Sequence, residues 1–310
     1  MTNTTTTHEF EGRLLPKEIG SLPKVIPDYE ICKKRLSKLL IPFSQMNEAI
    51  EDIADIQRSG KSAANKRARE SRGLCIVGEP RSGKSELIDI YAKDIAPDPD
   101  RILVVGFPST STHRQFTVSV LQALGDAYPS EGKTEERLNR CLKRMEERNI
   151  ELLILDEAQH LLNSSANPEG HQRGADWLKE FLDKSGVPFV LSGPPRMLNI
   201  FKHQKELEGR ISAFIEYRPL SWDDKAKRKE FISVIQACES VLPFSHSANL
   251  SDSETAVRIF NETDGKIGLI KRLIGRAAQL AIRAGRPAIT HEDIEGAVRS
   301  TKVEGNQHNG

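Results

Sequence analysis

The stretch Gly78-Glu79-Pro80-Arg81-Ser82-Gly83-Lys84-Ser85 leaves this chain few ways to fold. It fits G-x-x-x-x-G-K-[ST] at every fixed position. The apolar run Leu74-Cys75-Ile76-Val77 leads into it, and a helical pattern from Glu86 to Ile95 leads out. A strand must therefore deliver the backbone into a tight loop that opens directly into a helix. Gly78 and Gly83 let the loop wrap so that successive N–H groups face the oxygens of a phosphate. A helix starting near Lys84 aims its positive end at the same point. In such a loop Lys84 reaches the β- and γ-phosphates and Ser85 holds Mg²⁺, so residues 78–85 form a candidate nucleotide cradle.

The surrounding pattern extends the strand–helix alternation. Apolar strands are expected at 74–77, 101–107, 150–155 and 187–192, with Pro188 near the start of the last. Helical patterns fall between them at 116–124, 135–148 and 177–184. Near-continuous apolar strands separated by helices predict an α/β fold whose parallel sheet is covered on both faces. From Ser221 the strand signal stops. Helices are expected at about 222–241, 252–262, 266–284 and 291–300, three of them announced by capping-box patterns at Ser221/Asp224, Ser251/Glu254 and Thr290/Asp293. The expected organisation is an N-terminal extension at 1–46, an α/β core at 47–218, an all-helical region at 219–300 and a polar tail at 301–310. Residues 1–12 read as disordered, and Asp28 as the N-cap of a helix reaching Leu40. A second helix is expected from Asn47 to Ile56.

The other half of the chemistry sits on the strand Leu152-Leu153-Ile154-Leu155, which ends in Asp156-Glu157. Two acids at the carboxyl end of a strand suit Mg²⁺-dependent hydrolysis. Asp156 would bind the metal, through its water shell. Glu157 would orient and polarise the attacking water. Glu following Asp directly favours an ATPase over a small-molecule kinase. Ser192, at the end of the next strand, is a small polar group placed to sense a γ-phosphate; a plain strand-to-turn transition at Ser192-Gly193-Pro194-Pro195 is the alternative. Arg210, at the end of a short helix, is placed to stabilise transition-state charge on a neighbour's nucleotide, or is a surface charge. His160 either links the hydrolytic site to a moving loop or lies on a helix surface.

Composition excludes little. Lys+Arg 45 against Asp+Glu 44 leaves a net charge of +1, so any polyanion contact must come from a local patch. Cys32, Cys75, Cys141 and Cys238 form no C-x-x-C pair, which suggests neither a zinc site nor a disulfide framework and fits a reducing cytoplasm. Met1 to Glu11 has no apolar leader, and no apolar run reaches the ~18 residues of a membrane span.

The phosphate loop, the segment Asp156-Glu157-Ala158-Gln159-His160-Leu161, the Ser192-Gly193-Pro194-Pro195 strand end and the helical region together resemble the TniB/TnsC family of transposon-encoded AAA+ ATPases. The resemblance runs over about residues 35–300. It implies an AAA+ core with a C-terminal helical lid and nucleotide bound between them. It further implies a bacterial, ATP-dependent homo-oligomer, ring or filament, assembled on double-stranded DNA. That assembly would couple target-selection proteins to a DDE transposase, with Arg210 supplied in trans. A helicase-loader or clamp-loader-like remodeller and a non-hydrolysing nucleotide switch are the alternatives. The sequence departs from many such lids at Asp264-Gly265-Lys266-Ile267-Gly268-Leu269, where Gly stands in the slot of a γ-phosphate-sensing Arg; Lys266 and Lys271 are the candidate substitutes.

For DNA, the segment Ser109-Thr110-Ser111-Thr112-His113-Arg114 offers hydroxyls and cations suited to sequence-independent phosphate contact, with Thr112, His113 and Arg114 the named residues. The basic stretch containing Arg58, Lys61, Lys66, Arg67, Arg69 and Arg72 is a second candidate or a solvated linker. Arg137, Arg140, Lys143 and Arg144 lie on the following helix among acids, as further candidates for such contact or only its solvated face.

Overall fold

The computed structural model describes residues 27–41, 43–62, 72–107, 112–164 and 168–306. Two compact units are present. One spans 44–218; the other joins the residues up to Phe43 with those from Pro219 onward. The N-terminal helix α1 (Tyr29–Lys38) belongs to the second unit. The segments 1–12 and 109–111, and most of the basic stretch 58–72, lie outside the described residues.

The first unit is built on five strands: β1 (Gly73–Val77), β2 (Ile102–Gly106), β3 (Leu152–Asp156), β4 (Phe189–Gly193) and β5 (Ile211–Glu216). All are parallel, in the order β2-β3-β4-β1-β5. Around them run α2 (Ser44–Ser62), α3 (Lys84–Ile90), α4 (His113–Ala123), α5 (Thr134–Glu147), α6 (Pro168–Ser185) and the short α7 (Asn199–His203) and α8 (Lys205–Glu208). A π-helical turn, Tyr91–Ile95, extends α3. β1 and β4 are buried along their whole length, and β3 up to its last residue. That accounts for their unbroken apolar runs, since a central parallel strand has both faces covered. The core continues through Phe116, whose ring stacks on Phe107 at 4.8 Å and meets Trp177 and Phe181 edge-on at 4.7 and 5.1 Å.

β5 was not expected. It borders β1, and its residues alternate between half-buried Ile211, Ala213 and Ile215 and exposed Ser212, Phe214 and Glu216. The exposed positions Ser212 and Glu216 break its apolar run, so the signal that marks the other four, including the opposite edge strand β2, is missing. Helix α6 also starts earlier than its apolar residues suggest, because Gly170 and Gly174 weaken the helical pattern of its first half.

The second unit is all helical. It comprises α1, α9 (Lys225–Ser240), α10 (Ser253–Thr263), α11 (Ile267–Arg283) and α12 (His291–Asn306). Helix α11 is its axis, burying Ile267, Ile270, Leu273, Ile274, Ala277, Ala278 and Ala281. Helix α1 packs on α11, with Lys271 Nζ donating to the Leu39 carbonyl at 2.8 Å and Arg35 to the Val241 carbonyl at 3.3 Å. Asp28 caps α1 as expected, accepting from the N–H groups of Glu30 and Ile31 at 2.9 and 3.3 Å.

Of the three capping patterns, one forms as read. Thr290 and Asp293 exchange bonds, Thr290 N to Asp293 Oδ2 at 2.9 Å and Asp293 N to Thr290 Oγ1 at 3.4 Å. At α9 and α10 the cap falls on Asp224 and Asp252 instead, whose carboxylates accept from Lys227 N at 2.9 Å and Glu254 N at 3.0 Å. Aspartate caps about as well as serine, and its charge is favourable at a helix start. Helix α12 continues to Asn306, so the expected polar tail from 301 is helical up to that residue.

Gly265 joins α10 to α11 at φ +67, and a Cβ there would lie 1.8 Å from the Leu220 carbonyl oxygen. Its own carbonyl accepts from Leu220 N at 3.0 Å. No residue with a side chain fits there. Gly265→Ala is expected to destabilise this unit by roughly 3 kcal/mol or more, from left-handed backbone plus an overlap with backbone that no rotamer relieves. Denaturant unfolding read at Trp222 checks this; a loss below about 1 kcal/mol would contradict the tight crossing.

Candidate active site

The parallel sheet sends all its carboxyl ends to one edge. Val77 pairs with Gly193 and Glu216, and Gly106 with Asp156, so the exits of β1, β3 and β4 converge there. Residues 78–83 form the loop between β1 and α3. Arg81 and Gly83 adopt φ +67 and +109. A Cβ on Gly78 would come within 2.3 Å of the Tyr217 carbonyl oxygen, so the first glycine is required by close backbone approach. Tyr217 backs the loop: its N–H donates to Val77 O at 2.6 Å, and burial pushes its phenol well above the ordinary range. Sequence reasoning assigned Tyr217 no role, since it is placed by the strand before it, β5, which that reasoning did not detect.

Within the loop, Glu79, Pro80 and Arg81 are exposed, whereas Ser82 and Lys84 are buried. Lys84 Nζ donates to the carbonyls of Gly78 at 2.8 Å and Glu79 at 3.0 Å. Burial draws its ammonium below the ordinary value, opposed by the charges of Asp156, Glu157 and Glu79. A buried ammonium turned back onto its own loop is well matched to an anion that would restore its charge balance.

The two motifs meet directly. Ser85 Oγ donates to Asp156 Oδ2 at 2.6 Å, across 71 residues of sequence. Asp156 Oδ1 accepts from Glu157 N at 2.9 Å. Glu157 itself sits at φ +57, a conformation residues with a Cβ seldom adopt. Its carboxylate accepts from Gln159 Nε2, and His160 Nε2 lies 3.8 Å from the same oxygen. A hydroxyl beside a carboxylate is an all-oxygen donor pair that suits Mg²⁺. Among the described residues no cluster of three or more His, Cys, Asp or Glu could cage a metal.

Ser82 Oγ, Gln159 Oε1 and Ser192 Oγ are buried at or near this edge without a hydrogen-bond partner. A buried unpaired polar atom costs on the order of 1–3 kcal/mol, and such atoms gather where a ligand supplies the partner. Ser192 is fully buried in β4.

Other expected residues lie apart from this edge. Arg210 precedes β5, and its carbonyl accepts from Gly73 N at 2.9 Å, so it sits at the amino end of the sheet. The length of β1, about 13 Å, separates it from the loop. Its guanidinium pairs with Asp183 of α6. Thr112 caps α4 in a capping box with Gln115. His113 stacks on Trp177 at 5.2 Å, and burial lowers its pKa, helped by the charge of Arg173. Of these three, Arg114 alone presents an exposed cation with no acceptor engaged among the described residues. The helix face read as solvated is so only in part: Lys143 is exposed, but the three arginines are engaged. Arg137 is buried, donating to Thr117 Oγ1 at 3.2 Å, to Thr134 Oγ1 at 3.1 Å and to the Gly132 carbonyl. Arg140 and Arg144 converge on buried Asp126 at 3.2 and 2.7 Å.

Solved structures of similar fold include an Aeropyrum pernix ORC2 protein in ADPNP–ADP complexes (TM-score 0.59, 14% identity, 80% of this chain and 67% of that one). An A. pernix ORC1 protein in complex with DNA follows (0.58, 14%, 90% and 66%), as does Cdc6p from Pyrobaculum aerophilum (0.60, 16%, 87% and 70%). The chain thus spans about two thirds of the length of these structures, and the likeness establishes the AAA+ fold. No curated protein matches. Among the described residues no helix is long and apolar enough to cross a membrane. The family model for the bacterial TniB protein matches residues 35–218, more than half of the chain, and the chain belongs to this family of transposon-encoded AAA+ ATPases.

Proposed function

We propose that this chain is an Mg²⁺-dependent ATPase that assembles as an oligomer on double-stranded DNA and there recruits or activates a DDE transposase. The observation that carries the reading is the Ser85–Asp156 hydrogen bond, which seats the phosphate loop against the acid strand. Lys84 would turn from its loop carbonyls to the β- and γ-phosphates. Ser85 and Asp156 would hold the ion, Ser85 directly and Asp156 through water. Held there, the ion would supply charge neutralisation to the phosphates. Glu157 would orient the attacking water, and Ser192 would offer its unpaired hydroxyl to the γ-phosphate. Arg210, too far from its own loop, would serve the loop of the next subunit. A DNA role is supported by the family, and by the ORC1 neighbour having been solved in complex with DNA.

Duplex binding at several salt concentrations, with ATP and Mg²⁺ present, tests this reading. Arg114→Ala is expected to weaken binding to all sequences alike and to flatten the log–log salt dependence by about 1, one phosphate contact. Binding that ignores both ATP and salt would contradict the proposal. An unchanged slope in Arg114→Ala would move the contact to another surface.

A further inference from the structure

Gln159 lies two residues beyond Glu157 and is 3% exposed. Its Nε2 donates to Glu157 Oε2, while its Oε1 is buried without a partner. That oxygen rests against the exit of β4, where a Cβ on Gly193 would lie 2.6 Å from it and 3.0 Å from Met197 Sδ. The fold therefore keeps a side chain with only one of its two polar ends satisfied.

The two ends are not interchangeable. Turning the amide over would press Oε1 against a carboxylate oxygen, acceptor against acceptor. Glu157 thus sets the amide's orientation; the packing around Gly193 does not. If that space needed only filling, an apolar side chain of the same length would serve better, because it leaves no acceptor stranded. What glutamine adds is a donor fixed on Glu157.

The backbone works to the same end. Glu157 N is tied to Asp156 Oδ1 at 2.9 Å and Glu157 O accepts from His160 N at 3.0 Å, which closes a turn around the φ +57 residue. That turn brings residue 159 back to the side chain of residue 157. The Glu157 side chain remains 45% exposed, so the amide fixes one oxygen while the carboxylate still meets solvent.

We propose that Gln159 is a positioning residue for hydrolysis: it holds Glu157 by Oε2 and leaves the other carboxylate oxygen aimed at the attacking water. This rests on Glu157 being the water-orienting acid. The test is Gln159→Met, which keeps length and apolar fill but removes the donor. ATP affinity is expected to stay within about twofold of the parent and thermal stability to hold or rise, while kcat falls by roughly tenfold or more at unchanged KM. Gln159→Asn, which retracts the donor by one methylene, should give the same split and stands in if methionine is not accommodated. In a Glu157→Gln background, Gln159→Met should add no further loss, since no carboxylate remains to be held. Parental kcat in Gln159→Met, or an equal loss in both backgrounds, would overturn the proposal and leave the hydrolysis reading standing. A parent protein that never turns over ATP with Mg²⁺ and DNA would overturn both.

Discussion

Glu157→Gln is expected to bind ATP as tightly as the parent and to hydrolyse it at least ~10²-fold more slowly, the scale of a lost general base. The substitution keeps the size of the side chain and removes the negative charge that would polarise water. Nucleotide affinity should survive, because the groups placed to hold phosphate and metal are Lys84, Ser85, Asp156 and the loop backbone. Gln159 Nε2 loses its ionic acceptor, but an amide oxygen at position 157 can still accept from it. Single-turnover hydrolysis beside equilibrium ATP binding separates the two effects. Equal turnover in parent and variant would remove Glu157 from the mechanism. Weakened binding with normal turnover would make it a ligand instead. If each turnover loosens an ATP-dependent assembly, the same variant should also persist on DNA longer than the parent.

Much of this site is legible in the sequence, for a physical reason. Phosphate loops demand glycine where backbone meets backbone, as at Gly78 against Tyr217, and no other residue type can stand in. Central strands are apolar along most of their length, so β1, β3 and β4 announce themselves. What escaped depends on contacts across the fold. β5 is covered on one face only. Arg137 looks like one more charge on a charged helix, yet Thr117 and Thr134 draw it into the interior. The hydroxyl and imidazole of Thr112 and His113 look available until the α4 cap and the Trp177 ring claim them. Gln159 is a polar residue in an ordinary helical turn until Gly193 is seen to close over its far end. At α9 and α10 Asp224 and Asp252, rather than the serines, take the cap, which the capping-box pattern cannot choose because Asp and Ser cap about equally well.

The second large effect concerns Arg210. From the amino end of the sheet it cannot stabilise charge at its own loop, and its present partner is Asp183, a pair 22% and 36% exposed. Breaking so open a pair should change stability by no more than about 1 kcal/mol. Arg210→Ala should therefore fold, bind ATP and join assemblies, yet turn over poorly, as expected when transition-state charge loses its cation. Lys84→Ala should fail for the opposite reason: it removes the ammonium from its own phosphate site and leaves Arg210 intact.

Mixing these two variants tests the central claim, that hydrolysis is completed between subunits, most directly. In a head-to-tail assembly, an interface works when an Arg210→Ala subunit offers its intact loop to the intact Arg210 of a Lys84→Ala subunit. At equal mixing, chance occupancy makes one half times one half of the interfaces productive, so about one quarter of parental ATPase activity should return from two nearly inactive proteins. A mixture that co-assembles on DNA and stays as inactive as its components would contradict the account, and would return Arg210 to the role of an ion-pair partner for Asp183.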